Sequence, residues 1–298
     1  MKSKIHLCIL SAALILAGGC AKKNRPILGD FPKDTNPPGG ALKFYTAFDG
    51  SSSDKLMNAV DSIRATFPAE NPFTSVTGIS GKAMAGSPTN DKAIKYNSPN
   101  DFAKSTSFTI AFWMKNSPPS GGAQFVFSMP KTVNKDSWTT NTETFMLIED
   151  NTADRNHSTA DSAAVKIGIK DNWFEFLAEK RVKSLLDNNW HHIAITYDQA
   201  TSKVSFYKDG QVMVPSLPAG FGDLKKNGNP YGAMDFNNVT GFAIGGWSQH
   251  IGLPGPGDAP AANGESWAKA FAGSIDQFRL YGKALTANEV LALYNSKL

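Results

Sequence analysis

Two tryptophans sit in polar surroundings where aromatic side chains are rarely idle. Trp138 lies among Asn134, Asp136 and Asn141 in the stretch 130–142, and Trp267 closes a Pro/Gly/Ala-rich excursion at 248–269 that also holds His250, Asp258, Asn263 and Glu265. A pyranose ring presents an apolar C–H face and a rim of hydroxyls, so an indole beside Asp, Glu, Asn or His has the chemistry to stack and orient a sugar. The same indole can instead plug the end of a core, and the residues alone leave both readings open. On the first reading Asp136, Trp138, His250, Asp258, Glu265 and Trp267 are the ligand-binding candidates, and the partner is an oligo- or polysaccharide.

Bond-breaking chemistry has less support. Glu175 and Glu179 share a face of the run 173–179. At about 3.3 Å per residue they stand roughly 13 Å apart, beyond the ~5.5 Å of retaining and the ~9.5 Å of inverting glycosidases. No nucleophile elbow, phosphate loop, zinc motif or nucleotide fingerprint is present. His191 and His192 are adjacent in an alternating run, so they point to opposite faces and cannot chelate one metal together. The expectation is a protein without a catalytic residue, with a glycoside hydrolase as the enzymatic rival.

The elements that must carry these residues are strands. In 190–214, His192, Ala194 and Thr196 alternate with His191, Ile193, Ile195 and Tyr197; residues 198–202 reverse the chain, and Asp209-Gly210 supplies a hairpin turn. Residues 108–114 alternate in the same way, and further short strands are predicted at 41–48, in two pieces within 78–96, and at 124–129, 143–148, 163–169, 173–178, 242–247 and 271–281. A helical turn is expected near 56–63. Thr286-Ala-Asn-Glu289 is a capping box ahead of an apolar stripe of Val290, Leu291, Leu293 and Tyr294, so the C-terminus is helical. Many short strands without βαβ alternation give an all-β fold, an antiparallel β-sandwich with a short C-terminal helix.

The run Trp190-His-His-Ile-Ala-Ile-Thr-Tyr-Asp198, the Tyr207-Lys-Asp-Gly210 turn and the closing stretch 271–285, together with residues 108–114, resemble the laminin-G-like branch of the concanavalin A-like lectin/glucanase superfamily. The resemblance covers roughly 42–298 and implies a jelly-roll sandwich, a scaffold that hosts lectins, adhesion modules and hydrolases. It also implies a structural calcium ion, because an Asp after the first strand and the Asp of a Gly-x-Ile-Asp in the last long strand often approach one ion; Asp49 and Asp276 occupy those places. The Glu-x-Asp-x-x-Glu arrangement of the superfamily's glucanases has no counterpart. An adhesion module that binds a protein partner is the alternative function that the resemblance implies.

The N-terminus has Lys2 and Lys4, an apolar run over 5–17 and Gly18-Gly19 before Cys20. The run is too short to span a bilayer. It resembles a bacterial lipoprotein signal in which Cys20 is lipidated, although Ala17 stands where that signal usually has leucine. The expected organisation is a signal peptide at 1–19, Cys20 and a tether at 20–40 rich in Pro, Gly and charge, and one sandwich at 41–298. The protein is then exported and membrane-anchored through its lipid alone, at the cell surface or in the periplasm. Loss of Cys8 with the signal leaves Cys20 alone, so no disulfide forms. Removal of Lys2 and Lys4 lowers the formal charge from +4 to +2, too mild for a nucleic-acid partner.

Overall fold

Phe108, Ile110, Phe112 and Met114 fall on one side of a strand, and in the computed structural model that side faces the core, with all four buried. The structure describes residues 40–49, 72–131, 142–150, 157–236, 238–253 and 265–297. Strand Phe108–Lys115 is central in an eight-stranded sheet whose order runs Gln211–Val212, Lys203–Lys208, His191–Asp198, Phe108–Lys115, Ser274–Tyr281, Lys82–Ala85 and Thr74–Thr77. Leu42–Thr46 also pairs with Ser274–Tyr281, beside Lys82–Ala85 on the same edge. A seven-stranded sheet runs Asn172–Phe176, Val165–Ile169, Thr142–Ile148, Ala123–Pro130, Phe242–Ile244 and Ile94–Tyr96, with Ala268–Ala270 joined in parallel to Ala123–Pro130.

The sheets meet through rings. Phe112 of the larger sheet lies 5.8 Å from Phe127 of the smaller, and Phe127 lies 5.9 Å from Phe278. Apolar burial of this kind, at about 1.5–3 kcal/mol per large side chain, is the main term that holds an antiparallel sandwich together. The meander at 191–212 forms as its alternation requires: Ile193, Ile195 and Tyr197 enter the core, while Ala194 faces the other way. Asp209 and Gly210 adopt φ of 53° and 74°, the paired positive values of a tight primed hairpin turn.

The two pieces expected within 78–96 are Lys82–Ala85 and Ile94–Tyr96, and they belong to different sheets. Strand Thr74–Thr77 was not expected; it is an edge strand of four small or branched residues, and three of them are exposed, so it lacks an apolar face. The expected strands 173–178 and 242–247 stop early, at Phe176 and Ile244. The stretch 271–281 is strand from Ser274 onward, preceded by the separate Ala268–Ala270. The expected helical turn at 56–63 lies outside the described residues.

Helix Ala287–Ser296 has both halves of its capping box: the Glu289 amide donates to Thr286 Oγ1 at 3.3 Å, and the Thr286 amide to Glu289 Oε2 at 2.8 Å. It lies on the outer face of the larger sheet, where Val290 is buried with Tyr45, Ala111 and Ala194, and Tyr294 stacks on Trp113 at 5.5 Å. Among the described residues no helix is long and apolar enough to cross a membrane.

Candidate functional site

The smaller sheet is apolar on both faces. Met146 and Ile148 of Thr142–Ile148 enter the central core, whereas Phe145 and Leu147 join Ala123, Phe125, Trp247 and Ala268 in a separate cluster on the outer face. Trp247 stacks on Phe125 at 4.6 Å and 2°, and its indole N–H donates to Thr142 Oγ1 at 2.8 Å. From there the rings form a ladder: Phe125 to Phe145 at 5.8 Å, then Phe145 edge-on to Trp173 at 5.1 Å. Gly168 stands between the last two strands, and a Cβ there would sit 2.3 Å from the Phe145 ring, so glycine is what lets that ring lie down on the sheet.

The ladder is buried in its middle and open at its ends. Phe125, Phe145 and Trp247 are at most 1% exposed, whereas Trp173, on the edge strand, is 36% exposed. At the other end Trp267 is partly exposed, 6.0 Å from Phe125 and 6.1 Å from Trp247, with its N–H donating to Glu265 Oε2 at 3.0 Å. Glu265 and Trp267 are therefore brought together, as a half-plugged, half-presented indole beside a carboxylate.

His250 holds this corner from behind. Its Nδ1 accepts the Trp247 amide at 2.8 Å, which places the ring proton on Nε2, 3.2 Å from the Ala268 carbonyl. Burial pulls its pKa below the ordinary value, against the opposing charge of Asp91, so the imidazole is neutral. Both nitrogens are engaged with the backbone, and His250 positions Trp247 and the strand after Trp267 rather than facing a ligand. Gln249 completes the clasp, accepting from the Glu265 amide at 2.9 Å and donating to the Glu265 carbonyl at 3.1 Å. Trp138, Asp136, Asp258 and Cys20 lie outside the described residues.

The carboxylates around the ladder are tied to lysines. Lys166 lies 2.5 Å from Glu149 and 3.7 Å from Glu175, and the buried Glu143 is shared between Lys131 and Lys170. Glu179 is not in the strand with Glu175 but in the short turn Ala178–Lys180.

Asp49 and Asp276 meet at a break in the larger sheet. Leu42–Thr46 pairs with Ser274–Tyr281 at Phe278 to Tyr281, and Lys82–Ala85 pairs with it at Ser274 and Ile275. Asp276 falls in the gap. Fully buried, it accepts from the Ile79 amide at 2.8 Å through Oδ2, while Oδ1 has no hydrogen-bond partner among the described residues. Asp49 Oδ1 accepts from the Lys82 amide at 2.6 Å, so both carboxylates sit on one turn, 78–82. Burial pushes the Asp276 pKa up to about 7 against the lowering effect of the Ile79 and Ser80 amides, and the charge of Asp49 adds to the rise. A buried, unpartnered carboxylate oxygen beside a second carboxylate fits the oxygen chemistry of calcium. Among the described residues no third His, Cys, Asp or Glu joins them, so further oxygens would come from backbone or solvent.

The ladder was not expected from the sequence, for a definable reason. Strand Ala123–Pro130 carries a bulge between Phe125 and Phe127, so two residues that alternation puts on one face lie on opposite faces. The run Glu143 to Ile148, apolar at both parities from Phe145 onward, was the available signal for a sheet covered on both sides.

The sequence pattern of a family described as Concanavalin A-like lectin/glucanases superfamily matches residues 88–243. No curated protein matches the sequence. Among solved structures, domain 4 of AbnA, a GH43 extracellular arabinanase from Geobacillus stearothermophilus, in complex with arabinotriose, is similar with a TM-score of 0.51 and 17% identity, over 85% of this chain and 98% of that one. Trypanosoma rangeli sialidase is similar with a TM-score of 0.52 and 13% identity, over 89% of this chain and 35% of that one. Botulinum neurotoxin type C, whose cell entry is described as dependent upon interaction with two ganglioside molecules, is similar with a TM-score of 0.52 and 12% identity, over 86% of this chain and 51% of that one. The chain thus spans about a third of the sialidase it matches. At these identities the likeness is one of fold.

Proposed function

The chain belongs to the concanavalin A-like lectin/glucanases superfamily, whose match covers just over half of its 298 residues, and from that premise we propose that it is a non-catalytic carbohydrate-binding lipoprotein. Cys20 would carry the lipid, and the sandwich would capture glycan outside the cytoplasm, at the cell surface or in the periplasm. The observation that carries the reading is the ring ladder on the outer face of the smaller sheet, ending in partly exposed indoles at Trp173 and Trp267. Exposed indoles braced by buried rings have the rigidity that stacking on a sugar face needs. The arabinotriose complex of the similar arabinanase domain and the ganglioside dependence of the similar toxin support a sugar partner for this scaffold. Glu143, Glu149 and Glu175 are each held by lysine, which leaves them poorly placed to act as a proton-donating and nucleophilic pair.

Asp49 and Asp276 would hold calcium. The ion supplies charge that neutralises the buried carboxylate, and so fixes the turn 78–82 against the first and last long strands.

A glycan array with the purified protein tests the proposal. Trp173→Ala and Trp267→Ala should each weaken binding by about 1–3 kcal/mol with the melting temperature checked in parallel. Capture of a protein with no glycan signal would favour the adhesion reading, and release of reducing sugar by the pure protein would overturn the non-catalytic one.

A further inference from the structure

The larger sheet carries a groove on its outer face that owes nothing to the ring ladder. It has a cavity volume of about 610 Å³ and is floored by His191–Asp198 and Lys203–Lys208, with walls from Thr106–Ser107 and from the segment Gly282–Thr286 that enters the C-terminal helix. Thr196 and Ser205 stand directly opposite each other across the two floor strands. Neither hydroxyl bonds to another described residue, although Thr196 is 95% buried at 5% exposure. Tyr207 closes one end of the row.

The charges that line the groove are already satisfied. Asp198 accepts from the Ala200 amide at 3.0 Å and from the Thr201 hydroxyl at 3.1 Å. Lys203 pairs with Asp223 at 3.4 Å and Lys283 with Glu289 at 2.5 Å. The hydroxyls of Ser107, Thr201 and Thr286 are already hydrogen-bonded, and those of Thr196, Ser205 and Tyr207 remain to meet a ligand, each able to donate and accept, in a space of the size that takes small molecules. An apolar ligand would strand those hydroxyls, and an ion would find no uncommitted counter-charge. A neutral polyol ring, whose own hydroxyls donate and accept in the same way, satisfies both conditions.

We infer that this groove is a second saccharide site, taking an uncharged mono- or disaccharide on the opposite side of the sandwich from the indoles, with Thr196 and Ser205 as its floor contacts. It does not rest on the ladder being a binding surface. If both faces bind, one molecule bridges two glycan strands, and avidity for a dense glycan exceeds that of either face.

The test is amide chemical-shift mapping on the full chain with glucose, galactose, arabinose and lactose at millimolar concentration. The expected result is movement of the Gln199, Ser205 and Lys283 amides with at least one sugar. A Thr196→Val/Ser205→Ala variant should weaken that binding by about tenfold, the loss expected for two hydrogen bonds. Should the double variant melt early, Ser205→Tyr, which would fill the groove from its floor, takes its place and should abolish the shifts. Silence of those three amides with every sugar, or unchanged affinity in a folded variant, overturns the inference.

Discussion

The two outer faces of this sandwich are covered in different ways. On the larger sheet His192, Trp113 and Asp276 form a row of polar-tipped side chains on three neighbouring strands, and Tyr294 of the helix Ala287–Ser296 lies against the first two. Both nitrogens of His192, Nε1 of Trp113 and Oδ1 of Asp276 are buried with no hydrogen-bond partner among the described residues. Burial pushes the His192 pKa down to about 4, with the charge of Arg279 adding to the fall. On the smaller sheet the outer face holds rings, with its charges paired at the rim. The first face thus carries an electrostatic cost under a regular cover, and the second gains from apolar packing while leaving indoles at its margins. Stability of the first should answer to pH and cations, and that of the second to ring size.

The sharpest way to break that contrast is Trp247→Ala. If the outer cluster is a true second core, loss of this fully buried indole costs about 3–5 kcal/mol, read by denaturant unfolding. A cost below about 1 kcal/mol would reduce the cluster to surface decoration.

Asp276→Asn tests the other face. The native carboxyl keeps its proton up to about pH 7, while the unfolded one releases it near 3.8. The unfolded state therefore binds fewer protons across that window, and stability falls as pH rises through it, by at most about 4 kcal/mol. The asparagine variant should lose this slope. Added calcium should restore the wild type at neutral pH and leave the variant unmoved, as followed by melting temperature; no calcium response in the wild type would remove the ion from the proposal.

His191 gives a smaller effect of opposite origin. Its Nδ1 lies 2.8 Å from Asp209 and its Nε2 2.9 Å from Asp187. Burial lowers its pKa, but the two carboxylates outweigh burial and the net shift is upward. The stability carried by the imidazolium is complete below the ordinary value of 6.5 and is lost as pH rises through the folded value above it. His191→Gln should flatten that alkaline decline in a melting series against pH. Smallest of all, Trp173→Ala should cost no more than about 1 kcal/mol of stability, since the residue is 36% exposed.

The sheets were legible where one parity is strongly apolar, as at 108–115, or where pairing is local, as at 191–208. The capping box of the last helix could be read to the residue. Elements fixed by distant partners could not: Ala268–Ala270 lies within what reads as a loop, because its pairing partner is Ala123–Pro130. The nearness of Asp49 and Asp276 was implied by family likeness, not by their spacing, since 226 positions of chain separate them. Of the indoles, Trp267 was singled out for its polar neighbours, whereas Trp173 lies in a predicted strand, where the sequence carries no sign of exposure; its accessibility comes from lying on the sheet's edge.

That edge position makes Trp173 an optical reporter as well as a contact. Trp113 and Trp247 are sealed from solvent, so collisional quenchers such as iodide should reach Trp173 ahead of them. A bound sugar would shield its emission, and seating of ligand could be followed by intrinsic fluorescence without any label.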